Sequence, residues 1–132
     1  MLGVSPASQL SGLKVLVVED QYLVADEHEH LLRSLGAEVM GPAPSVQAAL
    51  QLLADQTPDL ALLDVNLEQE KVFALAEELE RRETPFLFVT GYEGWVIPSA
   101  YRGVPIVEKP LSARLLLRAV GELSRAPSQK DG

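Results

Sequence analysis

Residues 14–20 read Lys14-Val-Leu-Val-Val-Glu-Asp20, four consecutive aliphatic residues closed by two carboxylates. A short apolar run without polar alternation fits a strand buried on both faces, the kind found in parallel sheets packed between helices. Three further runs have the same form. Leu60-Ala-Leu-Leu63 ends at Asp64, with Asn66 just behind it; Phe86-Leu-Phe-Val89 ends at Thr90-Gly91; Val104-Pro-Ile-Val107 leads to Lys109-Pro110. If these strands are parallel neighbours, their polar ends converge on one edge of the sheet. In open α/β sheets that carboxyl edge is where ligands bind.

Helical patterns separate the strands. Val24, Leu31, Leu32 and Leu35 predict a helix over residues 21–35, stopped by Gly36. Residues 38–42 end in Gly-Pro and suit a short second strand near the sheet edge. Ser45 is placed to cap a second helix running to residue 55, with Val46, Leu50 and Leu53 inward. A third helix is expected over residues 72–82, burying Phe73, Ala76 and Leu79 and turning the charge run 77–83 outward. The last, over residues 112–124, offers Leu115, Leu116, Ala119, Val120 and Leu123. Residues 91–103 carry three glycines and Pro98, which leave room for little more than one turn around residues 99–101. The fourth helix is therefore expected to be short or mobile. Five βα units with helices on both faces make a doubly wound α/β sheet, whose strand order periodicity alone leaves open.

A length of 132 residues fits one domain. Residues 1–12 read as a flexible leader, 13–125 as the domain and 126–132 as a disordered tail. The leader lacks the basic and apolar regions of a secretory signal, and no apolar run approaches a membrane span, so a cytoplasmic location is the expectation. There are no cysteines, which removes disulfides, thiolate nucleophiles and thiolate metal sites. A net charge of −8 repels a phosphate backbone, so a protein or a metal is a better partner than nucleic acid.

Glu19, Asp20 and Asp64 would bring three carboxylates together, and like charges at close range disfavour ionisation unless a cation neutralises them. Oxygen-only donors favour Mg²⁺, with Mn²⁺ also suitable, over zinc. Asp64 could then attack phosphorus and become an aspartyl-phosphate. Thr90 and the Gly91 amide would reach the phosphoryl oxygens, and Lys109 would supply a point charge. Glu27-His-Glu-His30 does not form a metal pair, because residues two apart on a helix face different ways. His28 shares the face of Val24 and Leu31 and is the one expected to be partly buried.

From about Lys14 to Leu123 the chain resembles the receiver domain of bacterial two-component response regulators. The resemblance implies a flavodoxin-like five-stranded parallel sheet of order 2-1-3-4-5. It implies Glu19 and Asp20 as the metal-binding acidic pair, Asp64 as the phosphoacceptor, and Asn66 as the residue whose backbone carbonyl completes the metal shell. It also implies Thr90 as the switch hydroxyl, Lys109 as the phosphate-contacting lysine, and a cis peptide before Pro110.

Phe88-Val-Thr-Gly-Tyr92, preceded by Pro85-Phe86, resembles the Phe-Ala-Thr-Gly-Tyr stretch of the FATGUY single-domain receivers. That group has a shortened fourth helix and is associated with histidine kinases of the HWE and HisKA-2 types. Ile106 stands three residues before the lysine, where most receivers carry a switch Tyr or Phe. Tyr92 and Trp95, beside the pocket, are candidates for partner contact.

The function so implied is a stand-alone phosphoacceptor, taking its phosphoryl group from a histidine kinase or a phosphotransfer protein. It would signal through protein contacts or act as a phosphate shuttle or sink, and would catalyse only its own phosphorylation and dephosphorylation. A pseudo-receiver working without phosphorylation is the alternative, disfavoured by the intact Asp64, Thr90 and Lys109. A haloacid-dehalogenase-like phosphatase wants a second Asp where Asn66 stands.

Overall fold

A computed structural model describes residues 9–67, 69–91 and 97–125. Five parallel strands, β1 (Lys14–Val18), β2 (Glu38–Ala43), β3 (Leu60–Asp64), β4 (Phe86–Thr90) and β5 (Ile106–Glu108), form one sheet of order β2-β1-β3-β4-β5. The helices are α1 (Tyr22–Ser34), α2 (Val46–Asp55), α3 (Gln69–Arg81) and α4 (Ala113–Arg125). This is the doubly wound, flavodoxin-like arrangement expected from the sequence.

The alternation of side chains along each strand divides the core in two. Leu16, Val18, Ala61, Leu63, Phe86 and Phe88 pack with α2 and α3 on one face. Val15, Val17, Leu60, Leu62, Leu87, Val89 and Val107 pack on the other with Leu32 of α1 and Leu116 and Ala119 of α4. Truncating one of the fully buried leucines, such as Leu62, to alanine would cost about 2–5 kcal/mol.

Local signals set the helix starts. The Ser45 side chain accepts from the Ala48 amide at 3.0 Å, and that of Ser112 accepts from the Leu115 amide at 3.2 Å. Gly36 follows α1 at φ +92°, a left-handed conformation that ends a helix cheaply in glycine.

Several expectations need correction. Leu10 is buried and its amide donates to the Leu35 carbonyl, so residues 9–12 are tied to the domain rather than part of a loose leader. Residues 1–8 and the expected tail, 126–132, lie outside the described residues. In α2 the inward residues are Val46, Ala49 and Leu53, while Leu50 is exposed beside α3. The fifth strand lies at residues 106–108 rather than 104–107, because the Val104 amide is taken by the Tyr101 carbonyl and Pro105 has no amide to give.

Between β4 and β5 the described residues contain a single 3-10 turn, Ser99–Tyr101. Residues 97–103 are not loose as a group. Tyr101 is buried among Phe73, Phe86 and Phe88, with ring centroids 5.9–6.1 Å away, and its hydroxyl donates to the Phe73 carbonyl at 3.2 Å.

Candidate phosphoryl and metal site

The strand register explains how the polar ends meet. Val15 and Val17, Leu60 and Leu62, and Val107 all point to the face covered by α1 and α4. Two residues further along each strand stand Glu19, Asp64 and Lys109, so the same alternation carries their side chains to the top of that face. Thr90 follows Phe86 and Phe88 and continues the opposite face at the same edge.

Glu19 and Asp64 are each 2 % exposed, whereas Asp20 is exposed. The three carboxylates can each present an oxygen so that all three oxygens lie within 4.8 Å of one another. Lys109 Nζ lies 2.8 Å from Glu19 Oε1 and 3.5 Å from Asp64 Oδ1. The Gln21 amide donates to Glu19 Oε2 at 3.1 Å, and the Asn66 amide donates to Asp64 Oδ1 at 2.9 Å. Asp64 Oδ2 is buried without a hydrogen-bond donor, and Glu19 Oε1, also buried, is met by the Lys109 ammonium in an ion pair.

Burial pushes the Asp64 carboxyl pKa above its ordinary value, and the neighbouring Glu19 adds to the rise. The Asn66 amide and Lys109 oppose it. Such a cluster is electrostatically incomplete. A buried Asp64 oxygen without a donor and an all-oxygen ligand set fit a hard divalent cation such as Mg²⁺ or Mn²⁺.

Thr90 is buried at the end of β4, and its carbonyl accepts from the Lys109 amide at 2.8 Å. Gly91 lies against Asn66: a Cβ at residue 91 would stand 3.2 Å from Asn66 Nδ2. The Lys109–Pro110 peptide is cis. Ile106 is 48 % exposed on β5, opposite Phe88 in the register. Tyr92 and Trp95 lie outside the described residues.

The sequence underread His28. It is 4 % exposed, aligned with Ala25 and Leu32 on the buried face of α1. The i, i+3, i+7 spacing of Ala25, His28 and Leu32 is the signal that locates it.

The sequence profile of the response regulator receiver domain matches residues 15–120, most of the chain. The chain belongs to the response regulator receiver domain family. Its curated relatives include the sensory transduction protein LytT of Bacillus cereus, 36 % identical over 88 residues that cover 64 % of this chain and 36 % of LytT. The transcriptional regulatory protein LytR of Staphylococcus aureus is 26 % identical over 90 % of this chain and 50 % of LytR. This receiver thus spans about a third to a half of the length of those relatives.

Among solved structures, SdrG from Sphingomonas melonis Fr1 superposes with a TM-score of 0.76 at 35 % identity, covering 89 % of this chain and 98 % of SdrG. The PhyR stress response regulator gives a TM-score of 0.70 at 27 % identity, covering 89 % of this chain and 46 % of PhyR. No helix among the described residues is long and apolar enough to cross a membrane.

Proposed function

We propose that this receiver accepts a phosphoryl group on Asp64 from the phosphohistidine of a histidine kinase, or from a phosphotransfer protein, and signals through protein contacts. An Asp64 oxygen attacks phosphorus as the phosphorus–nitrogen bond breaks, and the departing imidazole takes up a proton. The observation that carries this reading is the pairing of Asp64, whose buried Oδ2 lacks a donor, with Lys109, 3.5 Å from its other oxygen.

Glu19, Asp20, Asp64 and the Asn66 carbonyl would hold Mg²⁺, or Mn²⁺ in its place. The bound ion supplies positive charge against the phosphoryl oxygens and offsets repulsion between them and Asp64. Lys109 contributes a positive charge 3.5 Å from Asp64 Oδ1. Thr90 and the Gly91 amide stand at the end of β4 to meet the remaining oxygens. The protein turns over no separate substrate, since the reaction ends on its own side chain.

The Phe88-Val-Thr-Gly-Tyr92 stretch supports the FATGUY-like, single-domain reading and a kinase of the HWE or HisKA-2 type. The likeness to SdrG over nearly all of that chain supports it too. SdrG is also known in a BeF3-activated conformation, to which this chain aligns with a TM-score of 0.72. Output would pass to a protein partner, or the domain would serve as a phosphate shuttle or sink.

Phosphotransfer profiling tests the reading. Purified, autophosphorylated histidine kinases of the source organism are each mixed with the chain and Mg²⁺, and the label on the chain is followed over time. Rapid transfer from one kinase, abolished in Asp64→Asn, is expected. If no kinase and no small-molecule donor labels the chain, the pseudo-receiver alternative replaces this reading.

A further inference from the structure

Strands β1 and β2 keep a one-to-one register from Lys14 opposite Glu38 to Leu16 opposite Met40, and then Val18 faces Ala43. Two steps along β1 thus match three along β2, a bulge that inserts one residue into the edge strand. Met40 and Ala43 both enter the core on the α2 and α3 side, although unbroken alternation would put residues three apart on opposite faces. Just past the bulge the Glu19 amide donates to the Ala43 carbonyl at 2.9 Å. Ala43 is held in turn by α2, since its side chain is buried in one cluster with Val46 and Ala49.

Gly41 occupies the bulge at φ +97°, in the left-handed region that glycine enters without steric cost. The space beside it is closed. A Cβ at residue 41 would stand 2.7 Å from the Ala43 nitrogen and 3.2 Å from the Val17 carbonyl oxygen. Both are backbone atoms, so neither can swing aside as a side chain would. The Ala43 nitrogen belongs to the residue that holds the Glu19 amide, and Val17 lies two residues before Glu19 on its own strand. Either adjustment therefore carries Glu19 with it.

Glu19 has little room to absorb such a shift. It is 2 % exposed, its Oε1 lies 2.8 Å from Lys109 Nζ, and its Oε2 accepts from the Gln21 amide at 3.1 Å. A Mg²⁺ ion demands near-ideal octahedral geometry and tolerates a displaced ligand poorly.

We propose that Gly41 is a positioning residue for the phosphoryl and metal site: the bulge it permits in β2 sets the backbone of Glu19, and with it the carboxylate offered to the divalent ion and to Lys109. It acts through the Ala43 carbonyl and the Glu19 amide rather than by contact with the reacting atoms. The metal half of this inference rests on the phosphoacceptor reading, whereas the backbone half does not.

The test compares the native chain with Gly41→Ala and with Leu79→Ala, which empties a fully buried position in the last turns of α3 and so weakens the fold away from β1 and β2. Mg²⁺ affinity is measured by calorimetric titration under conditions in which circular dichroism shows each protein folded. In the metal-free proteins, hydrogen exchange of the Glu19 amide is followed by NMR beside that of the Ala61 amide, which donates to the Pro85 carbonyl at 3.1 Å.

Gly41→Ala should bind Mg²⁺ about tenfold more weakly, the lower end of what loss of a ligand's support costs, while Leu79→Ala binds as the native chain does. Its Glu19 amide should exchange faster than the native one by about tenfold beyond any change at Ala61, which reports the general loss of stability. Native affinity in folded Gly41→Ala, an equal weakening in Leu79→Ala, or Glu19 exchange that rises only in step with Ala61 overturns the inference. If Gly41→Ala does not fold, Gly41→Asn takes its place, because asparagine enters the left-handed region more readily than alanine while its Cβ meets the same two atoms. Failure of both to fold makes Gly41 a requirement of the fold rather than of the site, and overturns the inference as well. If the native chain binds no Mg²⁺, the metal reading fails, and the Glu19 exchange alone decides whether Gly41 sets that backbone.

Discussion

Lys109 Nζ stands 2.8 Å from Glu19 Oε1 and 3.5 Å from Asp64 Oδ1, so one ammonium is shared by two buried carboxylates and leans toward Glu19. Its removal leaves both acids buried without a counter-charge. Lys109→Ala should destabilise the metal-free protein by about 3 kcal/mol at neutral pH, in the range for breaking a buried ion pair. Phosphoryl-dependent partner binding should be impaired even if some phosphate attaches. Chemical denaturation without metal checks the first point, and unchanged stability would make the lysine a solvated bystander.

Asp64→Asn should have the opposite effect on the metal-free fold. With its folded pKa raised, Asp64 contributes stability that is present below the ordinary carboxyl value of about 3.9 and lost as pH rises through the folded value. At neutral pH the ionised carboxylate is therefore a cost that the amide avoids. A gain of about 1 kcal/mol is expected at pH 7, shrinking toward pH 4. Denaturant midpoints at the two pH values check it; a loss of stability at pH 7 would contradict the crowded-carboxylate picture.

Asp20 separates metal binding from folding because, unlike Glu19, it is exposed. Asp20→Asn should change stability by less than about 0.5 kcal/mol. It should weaken Mg²⁺ binding by about tenfold, equivalent to roughly 1.4 kcal/mol of lost attraction. Calorimetric titration with Mg²⁺ measures the second effect, and an unchanged affinity would place the ion elsewhere.

Gly91→Ala probes the contact with Asn66. Its Cβ would stand 3.2 Å from Asn66 Nδ2, closer than comfortable packing, so the Asn66 side chain must shift. The stability cost should stay below about 1 kcal/mol, since Gly91 is exposed and its neighbour is a movable side chain. Phosphate uptake should nevertheless slow, because Asn66 follows Asp64 by two residues and its backbone N–H, next to the displaced side chain, donates to the Asp64 carboxylate. Wild-type uptake in this variant would show that the contact has no bearing on the site.

Much of this was legible from where apolar runs stop. The run over residues 14–18 gave the first strand without adjustment, since nothing polar interrupts it. Strands β3 and β4 extend one residue beyond their apolar runs, to Asp64 and Thr90, because these polar residues are buried by the site they form. Helix α3 begins at Gln69, before the first apolar residue, Val72, since a polar opening turn leaves no periodic trace.

Tertiary context decided what periodicity could not. Leu50 matched an inward helical spacing, yet Ala49 takes the core position close to the sheet, and Leu50 is left beside α3. Tyr101 lay in a glycine-rich stretch with no apolar period, so its place in the Phe73, Phe86 and Phe88 cluster had no local signal. Convergence of Glu19, Asp64 and Lys109 depended on strand order, which a one-dimensional pattern does not contain.

The most direct measurement is to locate the phosphoryl group. The chain is incubated with acetyl phosphate and Mg²⁺, the acyl-phosphate is trapped by borohydride reduction, and the modified residue is identified by peptide mass spectrometry. One modification per chain, at Asp64, dependent on Mg²⁺ and absent from Asp64→Asn, is the expected result. Modification at another carboxylate, or undiminished acid-labile labelling of Asp64→Asn, would contradict the assignment of this pocket as the phosphoryl acceptor.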